Sequence, residues 1–217
     1  MSRQTDLIQS LLHPTAVRQK GRSGARKKDP MPHIKQRRLE VKARKKRVLR
    51  LKRGVACVEQ IQRLPDAKHD LMMLMDGCWH GWDVVASVIE LAKAPLVSLH
   101  LSTLGASGDQ ARLLADMLDE GEVQTVDLLV SQMFAAKDEA EWRQLVQALR
   151  DRGQHVAASR NHSKLMLLRF ADGRTYSGHG SCNLRRCHSI ENLTLTADPD
   201  VHAWLSAYIE GQTRPDG

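Results

Sequence analysis

Hydrophobic and polar positions change their spacing repeatedly along residues 66–217, and the changes predict helices and strands in turn. Apolar residues three and four apart indicate helices. Short apolar runs bounded by Gly, Pro or Asp indicate strands. The predicted helices are Asp66–Met75, Trp82–Lys93, Asp109–Leu118, Lys137–Arg152 and Val201–Ile209. The predicted strands are Leu96–Leu101, Thr125–Val130, His155–Ala158, Lys164–Phe170, Thr175–Gly178 and Asn192–Thr196.

The strands Lys164–Phe170 and Thr175–Gly178 flank an Asp-Gly pair, which is typical of the turn in a β-hairpin. Strands that alternate with helices favour an α/β fold, and a terminal hairpin makes the sheet mixed. We therefore expect residues 66–217 to form an α/β/α sandwich with a mixed sheet.

Residues 1–65 have a different composition and form a basic arm. Its first part contains Gly and Pro and almost no large apolar residues, so we expect it to be disordered alone. From Ile34 to Gln62 these breakers are rare, and Lys, Arg, Leu, Glu and Gln favour a helix. A sparse apolar stripe along that helix could dock on the body or pair with a second copy.

The net charge of +8 is divided unevenly between the two parts. Residues 1–53 hold 18 Lys and Arg against three acidic residues, a balance of +15, which leaves −7 for residues 54–217. Self-repulsion in the arm calls for an anionic partner, and nucleic acid, bound through its phosphates, is the favoured one. Candidate contacts are Lys42, Arg44, Lys45, Lys46 and Arg47. A solubility or targeting tail, acidic protein and lipid headgroups are the alternatives.

Composition also excludes several protein classes. No run approaches the roughly 18 apolar residues of a membrane-spanning helix, so we expect no integral membrane association. Met1–His13 lacks the apolar core and cleavage site of a secretory signal. Four scattered cysteines do not suit a disulfide scaffold and favour a reduced, cytoplasmic protein.

The residues best suited to chemistry lie between 161 and 192. His162 and Lys164 are two positions apart at the head of an apolar strand, so both side chains should leave the same face of the sheet. The hairpin then returns to a tight turn that holds Ser181 and Asn183, which we expect beside them. An imidazole, an ammonium, an amide and a hydroxyl form an anion pocket with a nucleophile, which suits phosphate ester chemistry.

Glu191 follows Asn183 by eight residues, where its carboxylate could set the tautomer of the histidine. Three arginines that would add positive charge around the pocket are candidate substrate contacts: Arg160, Arg185 and Arg186. For the last two, a solvated loop is the alternative.

A zinc site is the other hypothesis for Cys182, His179, Cys187 and His188. Their spacing is not a usual zinc pattern, so we predict no metal and no cofactor.

These residues resemble the motif of the phospholipase D superfamily, H-x-K-x4-D-x6-G-S-x-N with a later acid. Here the motif reads His162-Ser163-Lys164 and Gly180-Ser181-Cys182-Asn183, with Glu191 as the later acid. One position departs from it, because Arg169 replaces the Asp expected five residues after Lys164. That Asp is structural in the superfamily, so the departure weakens the match without removing it.

The resemblance implies a metal-independent phosphodiesterase that cleaves nucleic acid, with DNA favoured over RNA. One active site of the superfamily needs two motifs and this chain has one, so the resemblance implies a homodimer like the small single-motif endonucleases. His162 of one subunit would attack phosphorus and form a phosphohistidine, and His162 of the other would protonate the leaving oxygen. Lys164 and Asn183 would neutralise the phosphate oxygens, with Ser181 nearby and Glu191 orienting the ring. A bacterial or phage-encoded cytoplasmic protein is implied.

Two alternatives stay open. The first is a phospholipase D-like DNA-binding protein in which the arm binds DNA and catalysis is weak or lost. The second is a phospholipid-directed enzyme, which is disfavoured because no amphipathic insertion helix with aromatic anchors accompanies the charge.

Overall fold

Seven strands form one mixed sheet in the computed structural model, which describes residues 54–77, 79–185 and 189–214. The strands are β1 Leu71–Met75, β2 Leu96–Thr103, β3 Val123–Ser131, β4 His155–Ser159, β5 Leu165–Phe170, β6 Thr175–Gly180 and β7 Glu191–Thr196. Their order across the sheet is β1-β7-β6-β5-β2-β3-β4. β2, β3 and β4 are parallel, and all other neighbours are antiparallel. The predicted α/β class and mixed sheet are confirmed.

Six helices are present in the described part of the chain. They are α1 at residues 54–61, α2 Gly81–Ala92, α3 Gly108–Asp119, α4 Gln132–Lys137, α5 Glu139–Arg150 and α6 Pro199–Thr213. Local sequence explains where several begin. Ser107 and Gln110 form a reciprocal capping box at the start of α3, and Asp198 accepts from two backbone N–H groups at the start of α6. Four of the five helices and all six strands predicted within residues 66–217 are found, with shifted ends.

Alternate residues of β3 face two different apolar clusters, one on each side of the sheet. Val126, Leu128 and Val130 face the larger core, which α1 to α5 cover. Leu129 faces the other way, into a smaller cluster beneath α6 that includes Leu165, Leu167 and Ile209. Helices therefore lie on both faces of the sheet, because each face carries apolar side chains that must be covered.

The predicted helix Asp66–Met75 is wrong, because residues 66–69 form a turn closed by a bridge between Asp66 and His69, and Leu71–Met75 forms the edge strand β1. β1 pairs antiparallel with β7 and shows the alternation of a strand: Met75 is 2% exposed, whereas Met72 and Leu74 are 76% and 77% exposed. Leu and Met favour helices when isolated, and five apolar residues in a row show no period. Pairing with β7 decides the outcome.

The predicted helix Ile34–Gln62 is described only at its end, where residues 54–61 are helical. Cys57 and Ile61 from this helix are buried in the larger core. Residues 1–53, including the five candidate contacts from Lys42 to Arg47, lie outside the described residues. The division into an arm at 1–65 and a body at 66–217 stays a prediction.

None of the helices that the structure describes has both the length and the apolar content required to cross a lipid bilayer.

A buried polar cluster lies between the sheet and α6. Arg214 and Thr213 donate to the Asp127 carboxylate, and His100 Nε2 lies 3.4 Å from the same group. His202, on α6, is 6% exposed. Burial lowers the pKa of His202 to about 4, and the charges of His100 and Arg169 act in the same direction. Burial also lowers the pKa of His100.

We predict that acid destabilises the protein through His202. The pKa of His202 in the folded state, about 4, lies below the unfolded value of 6.5, so the unfolded chain binds more protons in between. The contribution of His202 to the free energy of unfolding is therefore fully present above pH 6.5. It falls by about 3 kcal/mol as the pH drops toward 4. Urea unfolding of wild type and His202→Gln at pH 7 and pH 4.5 measures it. The variant should show a smaller pH dependence, whereas the exposed His155→Gln control should match wild type; equal pH dependence in all three contradicts the assignment.

Candidate active site

The candidate residues gather at one end of the sheet. β2, β3, β4 and β6 end there, and β5 and β7 begin there. In open α/β sheets, ligands bind outside the carboxyl ends of the parallel strands, which is the same end here. The antiparallel register of β5 and β6 pairs Leu165 with His179. The residue before Leu165 and the residue after His179 are therefore neighbours too. This pairing brings Lys164 beside Gly180 and the turn that follows it.

His162 and Lys164 are in direct contact. Lys164 Nζ donates to the backbone carbonyl of His162 at 2.6 Å and lies 3.0 Å from His162 Nδ1. An ammonium has no lone pair, so Nδ1 accepts and a neutral ring carries its proton on Nε2. Lys164 is buried and His162 is exposed, which leaves the imidazole facing solvent. Burial lowers the pKa of Lys164, and the Glu191 carboxylate opposes that shift.

Ser181 joins the two strands that flank the turn. Its hydroxyl donates to Glu191 Oε2 and accepts from the backbone N–H of Asn192 at 3.0 Å. The backbone N–H of Ser181 donates to Asn192 Oδ1, also at 3.0 Å. We expected Glu191 to orient His162. The structure instead places Lys164 at His162 Nδ1, with Glu191 bonded to Ser181 and close enough to act on the charge of Lys164.

Asn183 is held from two directions. Its side-chain oxygen accepts from the backbone N–H of Leu104 at 3.3 Å, and its carbonyl accepts from Gly81, the first residue of α2, at 2.9 Å. A Cβ at Gly81 would lie 2.5 Å from Met166 Cε and 3.1 Å from the Asn183 carbonyl oxygen. Glycine at this position therefore permits α2 to approach the turn closely.

The candidate arginines have different surroundings. Arg160 is exposed directly after β4. Arg185 forms an ion pair with Asp138 at 3.1 Å and lies 5.9 Å from the centre of the Phe134 ring. Arg186 lies outside the described residues.

Arg169, which replaces the motif Asp, is remote from the candidate histidine. It lies near the far end of β5 from Lys164, a separation of about 16 Å at the usual rise per residue. Its side chain lies on the opposite face of the sheet, where Nε is 3.4 Å from Ser98 Oγ. Arg169 therefore contacts the neighbouring strand β2 and takes no part in the surroundings of His162.

The described residues give little support to a zinc site. Cys182 is buried and contacts the Asn183 carbonyl, and Cys187 and His188 lie outside the described part of the chain. Elsewhere in that part, three potential ligand atoms lie within 4.8 Å of one another, from His100, Asp127 and Glu210. Both oxygens of Asp127 already accept from the Arg214 guanidinium, which occupies the place of a cation.

The carboxyl end of β2 contributes to this site, although no motif in the sequence indicates it. Ser102 and Thr103 end that strand and contact both halves of the motif region. Asn161, directly before His162, is 5% exposed and bonded to both of them. The available signal was weak: two hydroxyl residues at the carboxyl end of a predicted strand.

Comparisons with known proteins support the fold alone. No protein family profile matches the chain, and no curated protein matches it by sequence. The structure is similar to polyphosphate kinase from Porphyromonas gingivalis, a member of the phospholipase D superfamily, with a TM-score of 0.51 and 15% identity. The match covers 73% of this chain and 29% of that one, so the chain spans less than a third of the kinase.

A second solved structure is TrmBL2, described as an archaeal chromatin protein with a novel mode of DNA binding. It has a TM-score of 0.39 and 15% identity, with 82% of this chain and 64% of that chain covered. A similarity at this level says nothing about the function of this chain.

We predict that Gly180→Ala disrupts the site and that Gly178→Ala does not. A Cβ at Gly180 would overlap the Asn192 carbonyl oxygen and lie 2.9 Å from Leu193 Cα, so β7 would have to move. At Gly178 the nearest atom is 3.5 Å away, an ordinary contact. Urea unfolding should show Gly180→Ala less stable by about 2 kcal/mol and Gly178→Ala within about 0.5 kcal/mol of wild type. Equal losses would contradict the close approach of β6 to β7.

Proposed function

We propose that this protein is a metal-independent phosphodiesterase of the phospholipase D superfamily that cleaves nucleic acid, with DNA favoured over RNA. The observation that carries the proposal is the contact between Lys164 and His162 at the carboxyl ends of the parallel strands. It puts a buried cation directly beside an exposed nucleophile. The fold similarity to polyphosphate kinase, a superfamily member, is compatible with it.

The site has the groups that an attack on a phosphodiester requires. Lys164 supplies positive charge in a partly desolvated place, where an ion pair with a phosphate oxygen is stronger than in water. Asn183 has its side-chain oxygen bonded to Leu104, and its amide N–H groups have no partner among the described residues. They would complete an anion pocket with the ammonium.

The proposed reaction has two steps, shared by two subunits. Nε2 of His162 in one subunit attacks phosphorus, a P–N bond forms, and the bond to the leaving oxygen breaks. His162 of the second subunit gives its Nε2 proton to that oxygen. Water then attacks the phosphohistidine, the second histidine takes the proton from the water, and the P–N bond breaks. A homodimer is part of the proposal because each chain contributes one histidine.

The tautomer that the Lys164 contact implies for His162 suits one of these two roles. A ring whose Nδ1 accepts from Lys164 has its proton on Nε2 and is ready to donate it. The attacking ring needs a free lone pair on Nε2, and therefore a proton on Nδ1. In the proposed mechanism, Lys164 turns toward the phosphate, the exposed ring loses its Nε2 proton to solvent and gains one on Nδ1, and Nδ1–H then donates a hydrogen bond to the Glu191 carboxylate.

The alternative is a DNA-binding protein of the same fold with weak or lost catalysis. One observation favours it: Lys164, and not a carboxylate, meets His162 Nδ1, which keeps the ring in the tautomer that cannot attack. Under either proposal, the basic arm holds the polymer near the body. A cytoplasmic, bacterial or phage-encoded setting stays a prediction.

We expect the full chain to nick supercoiled plasmid in EDTA and His162→Asn to be slower by at least about 100-fold, the scale of a lost acid–base group. His155→Asn, which changes an exposed histidine at the other end of the sheet, is the matched control and should match wild type. With phosphorus-labelled DNA, alkali-quenched wild type should retain radioactive phosphate and His162→Asn should not, and acid treatment should release the label, because the P–N bond of a phosphohistidine is stable in alkali and labile in acid. A wild type that shifts DNA in gels and leaves it intact favours the alternative, and activity lost in EDTA contradicts metal independence.

We also predict that the arm supplies salt-sensitive binding. Replacing Lys42, Arg44, Lys45, Lys46 and Arg47 with Gln in the full chain should weaken DNA binding and flatten its salt dependence. Each phosphate contact that is lost should reduce the slope of log affinity against log salt by about 0.9. Fluorescence anisotropy across a salt series measures the slope, with cleavage of bis(p-nitrophenyl) phosphate expected to stay unchanged. An unchanged slope would show that these residues do not contact phosphates.

A further inference from the structure

The segment that carries His162 and Lys164 has no regular secondary structure, so other contacts must hold it. Residues 161–164 lie between the end of β4 and the start of β5 without belonging to either. A loop of this kind samples many conformations unless side chains anchor it. The anchor is the side chain of Asn161, which is 5% exposed although it is polar.

The Asn161 amide uses both of its ends. Nδ2 donates to Ser102 Oγ at 2.8 Å and lies 3.4 Å from the Thr103 carbonyl. Oδ1 accepts from the backbone N–H of Ser163 at 2.9 Å and from its hydroxyl at 2.7 Å. A backbone N–H can only donate and a carbonyl can only accept, so these partners determine which end of the amide is oxygen.

The hydroxyls of Ser102 and Ser163 close a ring of hydrogen bonds with Asn161. Their oxygens are 2.6 Å apart. Ser163 gives its proton to Asn161 Oδ1, so Ser102 must donate to Ser163, while Ser102 accepts from Asn161 Nδ2. Every bond runs in the same direction around the ring, and each donor polarises the next. The ring fastens the loop to the carboxyl end of β2.

The ring restrains His162 from both sides. Its neighbours Asn161 and Ser163 are both ring members, and its own carbonyl accepts from Lys164. Only the imidazole is left to rotate, and Lys164 meets its Nδ1. We infer that Asn161, with Ser102 and Ser163, is the positioning residue that holds the His162 backbone where Lys164 can select the ring tautomer. Its catalytic meaning rests on the proposed function, because Asn161 touches no reacting atom.

The test compares full-length wild type, Asn161→Ala and Ser102→Ala in metal-free buffer with EDTA. Ser102→Ala removes one hydroxyl from the ring and keeps the test open if the larger change prevents folding. Ser177→Ala is the matched control, because Ser177 is fully buried in the same sheet and its hydroxyl has no hydrogen-bond partner among the described residues. Circular dichroism and thermal unfolding establish that each variant is folded.

Two readouts follow. Nitrogen-15 NMR of the histidine rings, assigned with His162→Asn, reports the tautomer of neutral His162 and needs no activity. Wild type and Ser177→Ala should show the proton on Nε2, and the two ring variants should show a mixture. Hydrolysis of bis(p-nitrophenyl) phosphate should show kcat reduced by about 10- to 100-fold in the ring variants, with KM within about twofold, as expected when a reacting group is misplaced.

The two proposals fail in different ways. If wild type has no hydrolytic activity, the proposed function is wrong, and the NMR tautomer decides the positioning role alone. If wild type is active, a ring variant with an unchanged tautomer, or with kcat within twofold of wild type, overturns the positioning role. A general loss of stability shared with Ser177→Ala and without a tautomer change overturns it as well.

Discussion

Burial of the Lys164 ammonium at the start of β5 is the constraint on which the rest of the candidate site depends. A buried charge is costly unless it is hydrogen-bonded and near an opposite charge. The His162 carbonyl and Nδ1 supply the bonds, and Glu191 supplies the charge. Because β5 is paired on one side with β2 and on the other with β6, the backbone from which this side chain leaves is held at the edge of the site.

The carboxyl end of β2 connects the two halves of the motif region. Thr103 accepts from Asn161 through its carbonyl and from the Leu184 backbone N–H through its hydroxyl. Leu104, the next residue, donates to Asn183. These three contacts join residues 58, 81 and 79 positions apart in sequence to one strand end, and each uses at least one backbone group, whose geometry varies little. The polar cluster under α6 occupies the other face of the sheet, so its charges are separated from the site by the strands.

Sequence patterning predicted the parts of the fold in which polar and apolar residues alternate. Helices α3 and α5 have such patterns, since each has one covered face and one exposed face. β1 has none, because Leu71–Met75 is apolar throughout and its conformation depends on a partner 120 residues away. The same limit applies to the site: the motif placed His162, Lys164 and Asn183 near one another, but no spacing rule indicates that Lys164 meets Nδ1.

By itself, the sequence determined the α/β class, the hairpin, the division of charge and the residues from which a phosphate site would be built. These follow from local spacing and residue chemistry, which act over a few positions. Only the tertiary structure decided the role of Asn161, the bond between Ser181 and Glu191, and the remoteness of Arg169. Each depends on which strands become neighbours and on the face of the sheet from which a side chain leaves. A one-residue change of register would move these side chains to the opposite face.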